Sequence, residues 1–196
     1  KNLEQALLHA IKMNYTKIVQ YVFENLNKFD FKIDNDDFFG LALTYSIQTK
    51  HMFNMLFDIF KKLRPELFKM ELFTDLLIQA CLNSNLQVAE EITELILKEN
   101  EKYDFTDAFF KASSSKSINI CQYLLDKKVL IEFKDTAKMS NLGSIDVELF
   151  KIIMNNVDEN ARSIFYESIH GAISNKNKEV IDLILKEQRP IGNELI

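Results

Sequence analysis

Residues 6–24 read ALLHAIKMNYTKIVQYVFE, and this stretch decides the fold of the chain. It begins as a short apolar helix, is broken by polar residues around Asn14, and continues as a second helix. Apolar side chains spaced i, i+1, i+4 and i+5 form one stripe along a helix. In the second helix these are Ile18, Val19, Val22 and Phe23. The stretch therefore predicts two helices joined by a short turn.

The same pattern returns further along the chain, in segments that read DLLIQACLNSNLQVAEEITELI (75–96), AFFKASSSKSINICQYLLD (108–126) and SIHGAISNKNKEVIDLILKE (168–187). A small residue, here called the anchor, lies near the end of each first helix. The anchors are Ala10, Ser46, Ala80, Ala112 and Ala172, at separations of 36, 34, 32 and 60. The last separation is about twice the others, which predicts a further repeat within TAKMSNLGSIDVELFKIIMN (136–155), anchored at Met139 or Ser140.

The second helix of the unit has an apolar residue eight positions after most anchors. These residues are Ile18, Val88, Ile120 and Val180. The second repeat is the exception, because Asn54 occupies this position. Its apolar residues are Phe53, Leu56, Phe57 and Phe60, which indicates a shifted or longer helix.

The recurring unit resembles the ankyrin repeat, whose helix pairs recur about every 33 residues. The resemblance covers roughly residues 1–190. Matching positions are Leu7, Ala10, Ile18, Val19 and Val22; Leu77, Ala80, Val88 and Ile92; Phe109, Ala112, Ile120, Leu124 and Leu125; and Ile169, Ala172, Val180, Ile181, Ile184 and Leu185.

The chain departs from the ankyrin pattern in three ways. The Thr-Pro-Leu-His tetrad is absent, and His9 falls one position late for its histidine. The Gly-Ala-Asp that opens the family's β-hairpin is also absent, so the hairpins are expected to be shortened or lost. The glycine between the helices is kept only as Gly143 and is replaced by Asn14, Lys50, Ser84, Lys116 and Lys176. The resemblance is thus to a divergent ankyrin array.

We therefore expect an all-α fold, an α-solenoid of about six ankyrin-like helix-turn-helix repeats. Only 4 glycines and 2 prolines occur, which disfavours an all-β fold. One array is expected over residues 1–196, with approximate repeats 1–33, 34–71, 72–104, 105–133, 134–160 and 161–190. The predicted helix pairs are 8–26, 40–62, 74–100, 107–127, 137–155 and 163–187.

A single helix pair cannot bury its own apolar stripe, so stacked neighbours must complete the core. Ala80 and Ala112 are accordingly expected to be buried where adjacent first helices meet. A large, non-repeating cluster of helices is the competing architecture. Tetratricopeptide stacking is disfavoured, because the chain contains no Trp. The chain begins with Lys1 rather than Met, which suggests a piece of a longer protein.

Composition excludes several classes of function. The net charge of −5 disfavours a nucleic-acid partner. No run of about 18 uncharged apolar residues is present, so we expect no membrane span. The first 25 residues carry charges throughout and lack the apolar core of a signal peptide. We expect a cytoplasmic protein. Cys81 and Cys121 lack a nearby second cysteine, so reduced structural thiols are favoured over a disulfide.

No motif predicts catalysis, a metal or a cofactor. His9, His51 and His170 lie in different repeats and lack the spacing of a metal site. The carboxylate pairs Glu90-Glu91 and Asp36-Asp37 are adjacent in sequence, so within a helix their members point in different directions. No phosphate-binding glycine loop or nucleophile motif is present. We expect neither enzymatic activity nor a cofactor.

Aromatic doublets occur at Phe38-Phe39, Phe109-Phe110 and Phe165-Tyr166. Neighbours in a helix lie nearly 100° apart, so one member could face the core and the other a partner. Packing of both members within the core is the simpler interpretation.

The resemblance also implies where a partner protein would bind. Ankyrin arrays typically use a concave surface formed by the ends of the first helices and the adjoining loops. We call the ten residues after the anchors the ladder: Lys12, Met13, Gln48, Thr49, Leu82, Asn83, Ser114, Ser115, Ser174 and Asn175. The hypothesis is a protein–protein interaction scaffold. The alternatives are a regulatory or substrate-positioning domain of an enzyme whose catalytic part lies outside this chain, and a small helical enzyme.

Overall fold

The computed structural model describes residues 2–28, 36–133, 136–143, 145–156 and 163–187. Within these ranges the regular structure is helical and no strand forms, so the all-α prediction is confirmed for them. The α-helices are α1 (Asn2–Lys12), α2 (Thr16–Glu24), α3 (Asp36–Ser46), α4 (Lys50–Leu63), α5 (Met70–Leu82), α6 (Leu86–Glu99), α7 (Thr106–Ser114), α8 (Ile118–Asp126), α9 (Thr136–Leu142), α10 (Val147–Asn156), α11 (Ser163–Ser174) and α12 (Lys178–Glu187).

The helices follow one another in pairs that overlap the predicted ones. The main differences are at the first helices of the early pairs, which begin at Asn2, Asp36 and Met70 rather than at 8, 40 and 74. The extra turn of α3 contains Asp36 and Asp37, whose negative charges interact favourably with the N-terminal end of the helix dipole. Charged residues outside the apolar stripe thus extend the helix beyond the apolar pattern.

The chain divides into two compact units, Lys1–Glu101 and Lys102–Ile196. In the first unit, the odd-numbered helices α1, α3 and α5 pack against one another in chain order, and α4 packs against α6. In the second unit, α7, α9 and α11 pack in chain order, as do α8, α10 and α12. We call the odd-numbered helices inner and the even-numbered helices outer.

Four of the turns within pairs have the same backbone geometry. Asn14, Ser84, Lys116 and Lys176 have positive φ angles of 56°, 53°, 58° and 55°. The next residue in each turn donates its backbone N–H to the anchor carbonyl: Tyr15 to Ala10 at 2.8 Å, Asn85 to Ala80 at 3.0 Å, Ser117 to Ala112 at 2.8 Å and Asn177 to Ala172 at 2.8 Å. This is the Schellman motif, in which glycine is usual at the positive-φ position.

The turn of the second pair is different, and the prediction for Lys50 is wrong. Lys50 is the first residue of α4 and does not have a positive φ. The buried residues Met52, Phe53, Leu56, Phe57 and Phe60 lie 36 positions before Val88, Ala89, Ile92, Thr93 and Ile96, whereas Ser46 lies 34 positions before Ala80. The connection from the anchor to the outer helix is therefore two residues shorter than in the third pair, because α3 ends at its anchor Ser46 whereas α5 continues two residues beyond Ala80, to Leu82. This difference explains the misfit at Asn54.

The anchors lie in the core, as expected. Ala80, Ala112 and Ala172 are fully buried, and Ala10 and Ser46 are also buried. Both members of the Phe38-Phe39 and Phe109-Phe110 doublets are buried as well. Each doublet packs on one further ring, Phe60 in the first case and Phe133 in the second. Neither doublet can therefore offer an exposed aromatic side chain to a partner. The third doublet, Phe165-Tyr166, lies outside the residues whose side chains are described.

Inner helices α9 and α11 approach each other closely at two glycines. A methyl group on Gly143 would overlap the carbonyl oxygen of Ser168, and one on Gly171 would overlap the carbonyl oxygen of Ser140. Gly143 does not have a positive φ, so it does not have the role of the turn glycine of the ankyrin pattern. Its small size serves helix contact instead.

Ile18 is exposed, although its place in the apolar stripe of α2 predicted that it would be buried. Its counterparts Val88, Ile120 and Val180 are buried, but Ile18 is 54 % exposed. Helices α6 and α12 each pack on the outer helix of the preceding pair, whereas α2 has no described outer helix before it. The burial of this position depends on a neighbouring pair and not on the repeat itself.

The connections between pairs contain no β-hairpin where they are described. A 3₁₀ turn at Pro65–Leu67 connects α4 to α5. In the second unit, a single parallel bridge joins Asp104 to Leu130, in the segments before α7 and after α8. The Asp104 carboxylate also accepts from the Thr106 backbone N–H at 2.9 Å.

Replacing Lys116 by glycine should raise the free energy of unfolding by roughly 0.5–1 kcal/mol, because a side chain in the left-handed region is strained. The matched control is Lys111→Gly, an exposed site within α7. It should lower the same quantity by about 1 kcal/mol. Chemical denaturation followed by circular dichroism measures both. Equal destabilisation by the two variants would contradict the assignment of the turn.

Replacing Gly171 by alanine should cost at least about 2 kcal/mol, because the methyl group would force α9 and α11 apart. Gly40 provides the control: it lies in α3, and a methyl group there would meet nothing within 4 Å. Gly40→Ala should stabilise the chain by roughly 0.5–1 kcal/mol through its effect on the unfolded state. Thermal denaturation of both variants tests the contrast, and a stable Gly171→Ala protein would refute the close approach.

Candidate functional site

The ladder residues lie where inner helices end and turns begin. Lys12, Leu82, Ser114 and Ser174 are the last residues of their helices, and Met13, Asn83, Ser115 and Asn175 follow them. Gln48 and Thr49 are the exception. Because α3 ends at its anchor, Thr49 directly precedes α4 and, counted from the outer helix, corresponds to Asn85. The last residue of α3 and the residue after it are Ser46 and Ile47, and both are buried.

The ladder is accessible throughout. Thr49 and Ser115 are half-buried, and the other eight residues are exposed. Two of the exposed residues are large and apolar: Met13 is 48 % exposed and Leu82 is 45 % exposed. This exposure is what the binding hypothesis requires of them.

In the first unit, side chains join each turn to the preceding one. The hydroxyl of Thr49 donates to the side-chain oxygen of Asn14 at 3.1 Å. The side-chain amide of Asn85 donates to the carbonyl of Ile47 at 2.5 Å. The ammonium of Lys12 also lies 5.6 Å from the centre of the Tyr45 ring. The three turns therefore lie side by side, and the ladder residues of this unit share one surface.

The same connection recurs in the second unit. The side-chain amide of Asn177 donates to the carbonyls of Gly143 at 3.2 Å and Ile145 at 2.8 Å. Asn85 and Asn177 also accept from the backbone N–H groups of Val88 at 3.2 Å and Val180 at 3.3 Å, and so cap their outer helices.

These two asparagines were not predicted from the sequence, although a signal was present. Each lies five residues after its anchor, at the position that directly follows the positive-φ residue of the turn. An asparagine there can cap the following helix through its oxygen and still donate from its nitrogen. Aligning the anchors would have placed Asn85 and Asn177 together.

Several polar ladder side chains already form hydrogen bonds within their own helices. Asn83 and Asn175 each donate to the carbonyl four residues earlier, that of Gln79 or Gly171, at 2.8 Å. Ser114 donates to the carbonyl of Lys111 at 3.0 Å. These bonds satisfy carbonyls at helix C-termini, which otherwise lack partners. Met13 and Leu82 are therefore the ladder residues with the most to gain from a partner's apolar surface.

A groove of about 370 Å³ lies beside the ladder in the second unit, between α7 and α9. Its polar lining includes Lys111, Ser114, Lys116 and Lys138. Asp107 also lines it and pairs with Lys138 at 2.5 Å. We call this the lysine groove.

A second groove, of about 440 Å³, lies between outer helices α2 and α4 of the first unit. Phe23, Met55 and Ile59 contribute apolar surface to it, and His51 and Lys62 lie at the same groove. None of the ladder residues lines it, so it is separate from the surface formed by the turns.

The described residues contain no group of three or more histidine, cysteine or carboxylate side chains that could hold a metal ion. His9, His51 and His170 are exposed. Cys81 and Cys121 are both buried thiols and are not joined in a disulfide. Burial raises the pKa of the Cys81 thiol to about 12, so this group stays protonated near neutral pH and is a poor nucleophile.

No helix in the described part of the chain is long and apolar enough to cross a membrane. Comparison of the chain with models of known protein families, with curated proteins and with solved structures finds no match.

Replacing Asn177 by aspartate isolates the connection between turns. Aspartate caps a helix as well as asparagine does, but its carboxylate would face the carbonyls of Gly143 and Ile145 without a donor. We expect a loss of about 1–2 kcal/mol in the free energy of unfolding. The control is Asn119→Asp, the same change at an exposed site in the first turn of α8. It should change the stability by less than about 0.5 kcal/mol, and equal losses in the two variants would argue against the bridge.

Proposed function

We propose that this chain is a non-catalytic scaffold that binds another protein through the turn surface of a divergent ankyrin-like repeat array. The support for a repeat array is geometric. Inner helices pack on inner helices in chain order within each unit, and four turns have the same Schellman geometry. Those four turns have positive φ where the ankyrin pattern has glycine.

The observation that carries the binding proposal is the exposure of Met13 and Leu82 in turns that are connected to each other. The hydrogen bonds from Thr49 and Asn85 hold the turns of the first unit in a row. A row of fixed turns presents its side chains with little further loss of conformational entropy on binding. Exposed apolar residues gain meaning when they lie on one such surface.

The test replaces Met13 and Leu82 together by glutamate. Both side chains are exposed, so the double variant should remain folded, with a change in stability of about 1 kcal/mol or less. Its affinity for the partner should fall by more than about 1 kcal/mol, because glutamate cannot replace a buried apolar contact. Cross-linking to the intact chain, followed by mass spectrometry, identifies the partner. Titration calorimetry then gives the dissociation constants.

The matched control is Ile18→Glu with Leu63→Glu. These residues are 54 % and 46 % exposed, lie in the same unit, and are not ladder residues. The control adds the same charge and should bind like the original chain. If the control loses binding while the Met13 and Leu82 variant keeps it, the partner uses the outer helices and the proposed surface is wrong.

A further inference from the structure

We propose that the lysine groove between α7 and α9 binds an acidic segment of the partner protein, with glutamate or aspartate side chains placed between its lysines. This proposal rests on the proposed function and specifies the chemistry of the partner. It concerns the second unit, where the ladder residues themselves are small and polar.

The groove is formed by regularly spaced side chains of two inner helices. Asp107, Lys111 and Ser114 follow the spacing i, i+4 and i+7 along α7, and Lys138 and Asn141 follow i and i+3 along α9. These spacings place side chains on one face of a helix. The lining also includes the mostly buried Phe110 and Ile145. An extended chain can therefore place charged side chains among the lysines and its own apolar atoms against the groove.

The charge of the groove is unusual for this chain. Three lysines and one aspartate line it, in a chain whose net charge is −5. Asp107 is already paired with Lys138 at 2.5 Å. Lys111 and Lys116 form no ion pair with any residue that the structure describes, so the local excess of positive charge is carried by these two ammonium groups.

Lys116 is also held in a defined place. It is the positive-φ residue of its turn, and its backbone N–H donates to the carbonyl of Ser113 at 3.0 Å. The backbone from which the Lys116 side chain reaches the groove is therefore fixed. Charge complementarity of this kind gives binding specificity and faster association.

A carboxylate-bearing peptide fits the groove better than a nucleic acid. Recognition of a phosphate backbone would be accompanied by a basic face extending over many residues, whereas the positive charge here is confined to one groove. The apolar lining favours a peptide over a free inorganic anion, which would gain nothing from it.

The experiment titrates the intact 196-residue chain, labelled with ¹⁵N, with a hexaglutamate peptide. Parallel titrations use hexaglutamine, a single-stranded hexathymidylate and inorganic phosphate. Chemical shift changes should be confined to residues lining the groove and should appear with hexaglutamate alone. Shifts spread over lysines elsewhere, or equal responses to hexathymidylate or phosphate, would overturn the proposal, as would no response to hexaglutamate.

Three variants sharpen the test. Lys111→Gln with Lys116→Gln should weaken hexaglutamate binding by about fivefold or more. The control, Lys178→Gln with Lys186→Gln, removes the same charge from exposed sites on α12 and should leave binding nearly unchanged. Asp107→Asn removes the negative charge from the groove and should tighten binding. Equal weakening by the control pair, or weaker binding after Asp107→Asn, would refute the groove as the site.

The outcome is independent of the Met13 and Leu82 test. If hexaglutamate does not bind while the partner still depends on Met13 and Leu82, the groove proposal fails and the scaffold proposal stands. If hexaglutamate binds in the groove while the partner's affinity does not depend on Met13 and Leu82, the proposed surface in the first unit is wrong and the groove proposal stands.

Discussion

The structure depends on one constraint: a helix pair exposes an apolar stripe that it cannot cover by itself. Each pair must therefore pack on a neighbour. Inner helices α9 and α11 show how little space such a contact can leave, because a methyl group at Gly171 would overlap the carbonyl oxygen of Ser140. The anchors Ala80 and Ala112 are fully buried. Ile18 shows the converse, because the same repeat position becomes exposed when no described outer helix precedes it.

The turns follow from this packing. When inner helices lie side by side, the turns at their ends also lie side by side, and short polar side chains can reach from one turn to the preceding one. Thr49, Asn85 and Asn177 make such connections within their units. Within each unit, the packing that buries the apolar stripe thus also aligns the accessible turn residues, and this links the stability of the unit to its proposed use as a binding surface.

Most of the helices could be predicted from the sequence because their signals are local. The apolar period and the polar interruptions place the helix pairs, and the small anchor residues mark the buried contacts. The prediction failed at Lys50, because α3 ends at its anchor, two residues earlier than α5 does, and this shifts the register of α4. Anchor spacing alone cannot reveal this shift, whereas the apolar residues Phe53, Leu56, Phe57 and Phe60 did indicate it. It likewise misplaced Gln48 and Thr49 relative to their counterparts in other pairs.

The sequence by itself determined that the chain is helical, where the helices pair, and which small residues are buried, because these properties depend on neighbours within a few turns of helix. Only the tertiary structure decided which residues more than 30 positions apart meet. It joined Asn177 to the carbonyl of Gly143, brought Lys138 beside Asp107, and buried both members of the Phe38-Phe39 doublet. A local pattern specifies which face of a helix is apolar, but the distance and register between two helices are set by how their side chains interlock.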